Sequence, residues 1–200
     1  SGGLNISNAF INNGTTVTNG SINIPGGGNG SGTFNAASGG QFNFTGGTYT
    51  LNTGANFIGT GVANVAGATL NVAAATGVSF TNLNLSSGTL GGTGNVTTTG
   101  AFNITGSSTL TGTGVLTTQG TTTVEMAAAN NWVSLTGGKS WVNQGTLTVG
   151  DDDYIIFGYS SGGANTLTNA AGGTLNLSST YATPLNHWTG TSTVNNAGTL

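Results

Sequence analysis

Charge is what this sequence has least of. Among its 200 residues Lys139 is the only basic one, arginine is absent, and Glu125, Asp151, Asp152 and Asp153 are the only acids. At 2% charged residues the chain stands far below the usual figure of about 25%. A nucleic-acid interface is excluded by residue count, because neutralising phosphates takes several Lys or Arg. The same shortage removes any polybasic signal for an anionic membrane surface. Cysteine is missing altogether, which excludes disulfides and thiolate metal sites. No apolar run approaches the roughly 18 residues of a membrane span, so membrane insertion is not expected. Helices are not expected either, since no apolar pattern of 3.6-residue period runs for two turns through a chain this rich in glycine. The sequence opens SGGLN without a signal peptide, and is read as a mature product or an excised segment.

What fills the space is small and polar: 38 glycines, 55 serines and threonines together, and 26 asparagines. Disorder normally joins low hydrophobicity to high net charge, whereas 35% of these residues are hydrophobic and they recur periodically. The chain is expected to fold. Ser87–Gly100 (SGTLGGTGNVTTTG) returns as Ser107–Gly120 (SSTLTGTGVLTTQG), twenty residues on and identical at nine of fourteen positions. A short apolar-Asn-apolar unit keeps the same rhythm at Leu4-Asn5-Ile6, Ile22-Asn23-Ile24, Phe42-Asn43-Phe44, Leu83-Asn84-Leu85 and Phe102-Asn103-Ile104. Val62-Ala63-Asn64-Val65 supplies the missing copy, read with a bulge of one, and Thr122-Thr123-Val124 continues the series. Alternation of this kind is the strand period. Leu85, Phe102, Ile104 and Val124 are accordingly expected to face inward.

Short strands and Gly-rich turns repeating every twenty residues describe the coils of a parallel β-solenoid, in which stacking buries a core that no coil closes alone. Eight to ten coils are expected. In such a stack equivalent side chains lie about 4.8 Å apart. Two like charges at that distance repel by roughly 0.9 kcal/mol even in water, and a ladder repeats the cost at every rung. Thr and Asn form hydrogen-bonded ladders instead.

From about residue 125 the rhythm loosens. Trp141–Leu147, Leu167–Leu175 and Val194–Leu200 share an apolar-x-Asn…Gly-Thr-Leu phrase at wider spacing, so coils of about 1–124 are read as regular and those of about 125–200 as longer and looped. Residues 1–200 are read as one solenoid. Neither end resembles a polar capping repeat, so the chain is expected to continue into further repeats or to stack end to end on identical subunits.

SGTLGGTGNVT, WVNQGTLTV and VNNAGTL resemble the repeats of secreted bacterial β-helical surface proteins, namely filamentous-haemagglutinin-like exoproteins and autotransporter passengers. The resemblance covers nearly the whole chain. It implies a right-handed parallel β-helix, export to the cell surface, and service as a stalk, adhesin or matrix fibre. These families have no shared catalytic residues to carry over.

Several constellations bear on chemistry. Asp151-Asp152-Asp153 is the sole acidic cluster and the one candidate for Ca²⁺, although successive strand residues alternate faces and an exposed turn is the plainer reading. Catalysis of the β-helical polysaccharide-degrading kind would need another acid beside that turn, since hydrolysis takes two carboxylates at a controlled separation. His187 and Lys139 lie in no recognisable motif, and neither enzyme activity nor a cofactor is expected. Aromatics gather in the second half (Trp132, Trp141, Tyr154, Phe157, Tyr159, Tyr181 and Trp188). They are read as gap-filling plugs or as a sugar-stacking surface facing glycans through Trp132, Trp141, Tyr159 and Trp188. Thr-x-Thr pairs raise ice binding, against which stands that the pairs are not expected to share columns in successive coils. Threefold symmetry would point instead to a phage tail fibre.

Overall fold

In a computed structural model, described over residues 3–200, the chain is all-β: 25 strands without a helix, wound in parallel as a solenoid with coils of about 21 residues. Among the described residues no helix is long and apolar enough to cross a membrane. Each coil contributes a strand to three faces. The first face stacks nine strands, from Leu4–Asn5 through Gln41–Phe44 and Phe102–Ile104 to Thr174–Leu177. The second runs from Phe10–Asn12 to Leu185–His187. The long strands Val62–Val72 and Asn82–Gly92 turn the corner and join the two faces in one 16-stranded sheet.

The apolar-Asn-apolar unit explains the first face. Its flanking residues form two inward columns, and Leu85, Phe102, Ile104 and Val124 all lie there with no exposed surface. Val62–Val65 departs from the expectation. Ala63 pairs with Phe42 and Val65 with Phe44 without a bulge, so Ala63 is inward and Val62 half-buried. The register shift falls later, around Ala66.

The asparagines stack outside. Asn23 Nδ2 donates to Asn5 Oδ1 at 2.8 Å, Asn43 to Asn23 at 2.7 Å, Asn64 to Asn43 at 2.5 Å, Asn84 to Asn64 at 2.9 Å and Asn103 to Asn84 at 3.0 Å. Thr123 Oγ1 then donates to Asn103 Oδ1 at 3.1 Å. Each amide spends its donor on the preceding coil and its acceptor on the next. Such a column holds register, because a slip of one residue would exchange the inward and outward sets.

The repeated glycines mark corners. Gly92 and Gly112 have φ of 113° and 84°, a region that side chains disfavour. A Cβ on Gly114 would strike the Gly94 carbonyl of the coil before it, and one on Gly120 would strike that of Gly100. Coils meet backbone to backbone at these points, which accounts for the three glycines that recur between the two copies, Gly92/Gly112, Gly94/Gly114 and Gly100/Gly120.

The third face is broken. Thr15–Thr18, Thr33–Ala36 and Asn56–Ile58 form one sheet, and the six strands from Val78–Phe80 to Thr191–Asn196 form another. Across the break Phe57 and Phe80 bring their ring centroids to 4.6 Å, so the core stays closed while the backbone ladder parts. Outside lies a groove of about 580 Å³ lined by Asn56, Thr76, Ser79, Asn95 and Thr97 among others.

Candidate functional site

Coil length decides where the unusual side chains gather. On the first face inward partners are 18 to 21 residues apart as far as Thr122, and then 25 (Thr122 to Leu147) and 28 (Leu147 to Leu175). The extra residues form the segment after Val124 and the turns around Asp151 and Ser160, all beside the second face. An insertion brings backbone N–H groups that no strand pairs, and buried ones need partners.

Asp153 supplies two of them. Its Oδ2 accepts from Met126 N at 2.5 Å and its Oδ1 from Asn131 N at 3.2 Å, and it has no exposed surface. Burial pushes its carboxyl above the usual carboxylate range, as do Asp152 and Asp151, while the two backbone donors pull it down. The sequence expectation of an exposed acidic turn is therefore corrected. Asp151 is exposed and Asp152 half-buried, but Asp153 points inward as a structural anchor, its oxygens already spent on the backbone. Among the described residues no three His, Cys, Asp or Glu side chains group so as to hold a metal ion, so the three acids do not converge on a calcium site.

Lys139 is the second surprise. The only cation is buried, with Nζ donating to Gly114 O at 2.7 Å, and burial lowers its pKa to about 8. Asn165 holds the same corner by accepting from Gly138 N and Lys139 N, both at 3.0 Å.

On the outer side of the second face the aromatics meet. Trp132 and Tyr154 are register partners on adjacent strands, with centroids 5.8 Å apart. Tyr181 from the following turn stacks on Tyr154 at 4.1 Å and 12°. Tyr159, from the turn after Tyr154–Phe157, packs on Trp132 at 5.5 Å, and Trp188 packs on Tyr159 at 5.5 Å. The result is one strip, Tyr181–Tyr154–Trp132–Tyr159–Trp188. Burial, with Tyr181 beside it, raises the Tyr154 phenol above its ordinary pKa. Exposure grows toward the other end, reaching 36% at Tyr159 and 63% at Trp188. Ser134 and Ile156 occupy outward register positions between inward Val133, Leu135, Ile155 and Phe157, yet are only 2% and 3% exposed. They form the floor of the strip, and the Ser134 hydroxyl has no hydrogen-bond partner.

Three of the four residues expected to face glycans thus come together: Trp132, Tyr159 and Trp188. Trp141 does not. It is fully buried, with Nε1 donating to Thr118 Oγ1 at 3.2 Å and its ring 6.3 Å from Phe102. Its place in the apolar-x-Asn phrase is the signal for this, because Trp141 pairs with Leu167 and Leu167 with Val194, all three in one inward column. Phe157 is likewise in the core. The Thr-x-Thr expectation also needs correcting, since Thr121/Thr123 and Thr146/Thr148 do share columns. The paired array stops there, with Asn103 before Thr123 and Asn176 after Thr148, while the single column Thr121–Thr146 runs on through Thr174 to Thr199.

No family model, curated protein or solved structure matches the chain.

Proposed function

We propose that this chain is a non-enzymatic structural segment of a bacterial extracellular adhesin, stalk or matrix fibre, in line with further repeats or identical subunits along its axis. The observation that carries the reading is the outer amide column, in which six asparagines from Asn5 to Asn103 link coil to coil without a charge. Backbone bonds between parallel coils run along the same axis. Load along the rod is shared among many short hydrogen bonds, none depending on an ion pair that salt would screen. A surface scaffold working in variable salt and pH needs that insensitivity.

Single-molecule pulling between the two ends tests the reading. Coil-by-coil release is expected, each step lengthening the chain by roughly 70 Å, from about 21 residues per coil at ~3.4 Å each. The force of release should be unchanged between low and high salt. Extension in one weak step, or a strong salt dependence, would remove the support for a load-bearing role. Electron microscopy of the same preparation reads the second part: filaments of constant width are expected as concentration rises if copies stack end to end.

A further inference from the structure

We propose that the outer aromatic strip is a binding site for neutral saccharide chains, independent of the mechanical role. A residue that merely plugs a gap hides its surface, and Trp141 and Phe157 behave so, at 0% and 2% exposure. Trp188 leaves 63% of its surface in water although Tyr159 holds its ring in place. A large apolar face that is both exposed and fixed is costly to the free protein and suited to a ligand, because little side-chain freedom remains to be lost on binding. Tyr and Trp also combine an apolar body with a hydrogen-bonding tip, which fits a pyranose, apolar on its C–H face and polar around its edge.

Charge chooses among occupants. The acidic turn adjoins the Tyr181 end of the strip, for Thr180 N donates to Asp151 O at 2.7 Å. The only cation, Lys139, is inside the core. Uronate or sialylated chains and anionic membranes would meet carboxylates with no compensating amine. The rim offers neutral groups: the half-buried Asn186 amide, the exposed Thr189 and the Ser192 hydroxyl, which is 2.9 Å from His187 Nδ1. Below the rings the buried Ser134 adds no charge, its hydroxyl being unpaired and closed off from solvent. Uncharged polyols match every one of these features.

The test is tryptophan fluorescence titration of the full chain with cellohexaose, chitohexaose, laminarihexaose and maltohexaose, and with polygalacturonate as the anionic counterpart. At least one neutral hexasaccharide is expected to give a saturable change, with polygalacturonate at least tenfold weaker. Trp188→Ala and Tyr159→Ala should each weaken binding at least tenfold at an unchanged melting temperature. Trp188→Phe should stay within about threefold of the parent, and Val17→Ala, exposed on another face, should bind as the parent does. Because Trp188 is mostly in solvent its removal leaves the core intact, and Tyr159→Ala provides a second, separate lesion. The proposal is overturned if no neutral hexasaccharide saturates, if Trp188→Ala binds as the parent does, or if polygalacturonate binds equally well. It is overturned too if the strip serves another occupant, read as Trp188-dependent sedimentation with phosphatidylcholine vesicles or as a dimer that Trp188→Ala dissolves.

Discussion

The two halves of the solenoid use asparagine in opposite ways. In the regular coils one outer column of amides, from Asn5 to Asn103, faces water and bonds chiefly along itself from coil to coil. In the longer coils they stand inside. Asn143 Nδ2 reaches Asn169 Oδ1 at 2.8 Å, Gly145 O at 3.1 Å and Thr174 O at 2.9 Å. Asn169 Nδ2 in turn reaches Asn196 Oδ1 at 2.8 Å and Thr199 O at 2.8 Å. Where coil length is nearly constant, the backbone largely satisfies itself, with local help such as Asn12 Nδ2 donating to Thr33 O and Asn82 Oδ1 accepting from Ala101 N. Where it varies, corner carbonyls and insertion amides lose their partners, and buried Asn143, Asn169, Asn165 and Asp153 replace them. Irregularity is tolerated here because polar groups are taken into the core.

That contrast is broken most severely by a charge in the regular half. Leu85 lies between Val65 and Ile104 in an unbroken apolar column, with no polar group designed to receive it. Leu85→Asp is expected to cost about 4 kcal/mol or more, the range of an unpaired buried charge. Circular dichroism melts should show loss of the folded state or a collapsed midpoint. Retention of the parent's midpoint would mean that the column is not continuous.

In the irregular half the sensitive positions are polar. Asp153→Ala strands the Met126 and Asn131 amides, and Asn169→Ala removes three inter-coil hydrogen bonds, to Asn143, Asn196 and Thr199. A buried group left unpaired costs about 1–3 kcal/mol and a lost hydrogen bond about 0.5–1.5 kcal/mol, so urea unfolding should register a loss of about 2–4 kcal/mol for either variant. Asp153→Asn, which keeps an acceptor oxygen, should lose less.

Lys139 sharpens the contrast through pH. Its pKa falls from 10.5 to about 8 on folding, so between these values the folded chain holds fewer protons than the unfolded one. Stability therefore rises with pH in that window, and the contribution is lost as pH falls through 8. Tyr49, in the regular half, is pushed from 10.0 to about 12 by burial. Its contribution has the other sign, present below pH 10 and lost as pH climbs toward 12. Urea midpoints should peak near pH 10, after a gain of about 2 kcal/mol from pH 8. Lys139→Met should abolish the rise and leave the fall.

The regular half was largely legible in advance because its signal is repeated: one coil confirms the next, and Leu85, Phe102, Ile104 and Val124 fall where the period places them. The exceptions are single events. Ala63 carries too little hydrophobicity to mark itself as inward beside Val62. Asp153 and Lys139 are charged residues whose burial depends on backbone groups of neighbouring coils, Met126, Asn131 and Gly114, which no local pattern announces. The strip is an intermediate case. Its residues were visible as a cluster of aromatics, but Trp141 was separable from them only through its pairing with Leu167.

The smallest effect belongs to the outer column, and it decides what that column is for. Asn64 donates to Asn43 and accepts from Asn84, yet it is half in solvent. Water replaces most of what Asn64→Ala removes, so the loss should be about 1 kcal/mol. Asn64→Thr should cost less still, since Thr123 already continues the column beyond Asn103 and threonine favours strands. If urea unfolding shows the alanine variant to be as damaging as Asn169→Ala, the outer amides are principal supports and the two halves are built alike. A small loss leaves the apolar columns as the source of stability, with the amides acting to hold one register among many that an uncharged, glycine-rich chain would otherwise permit.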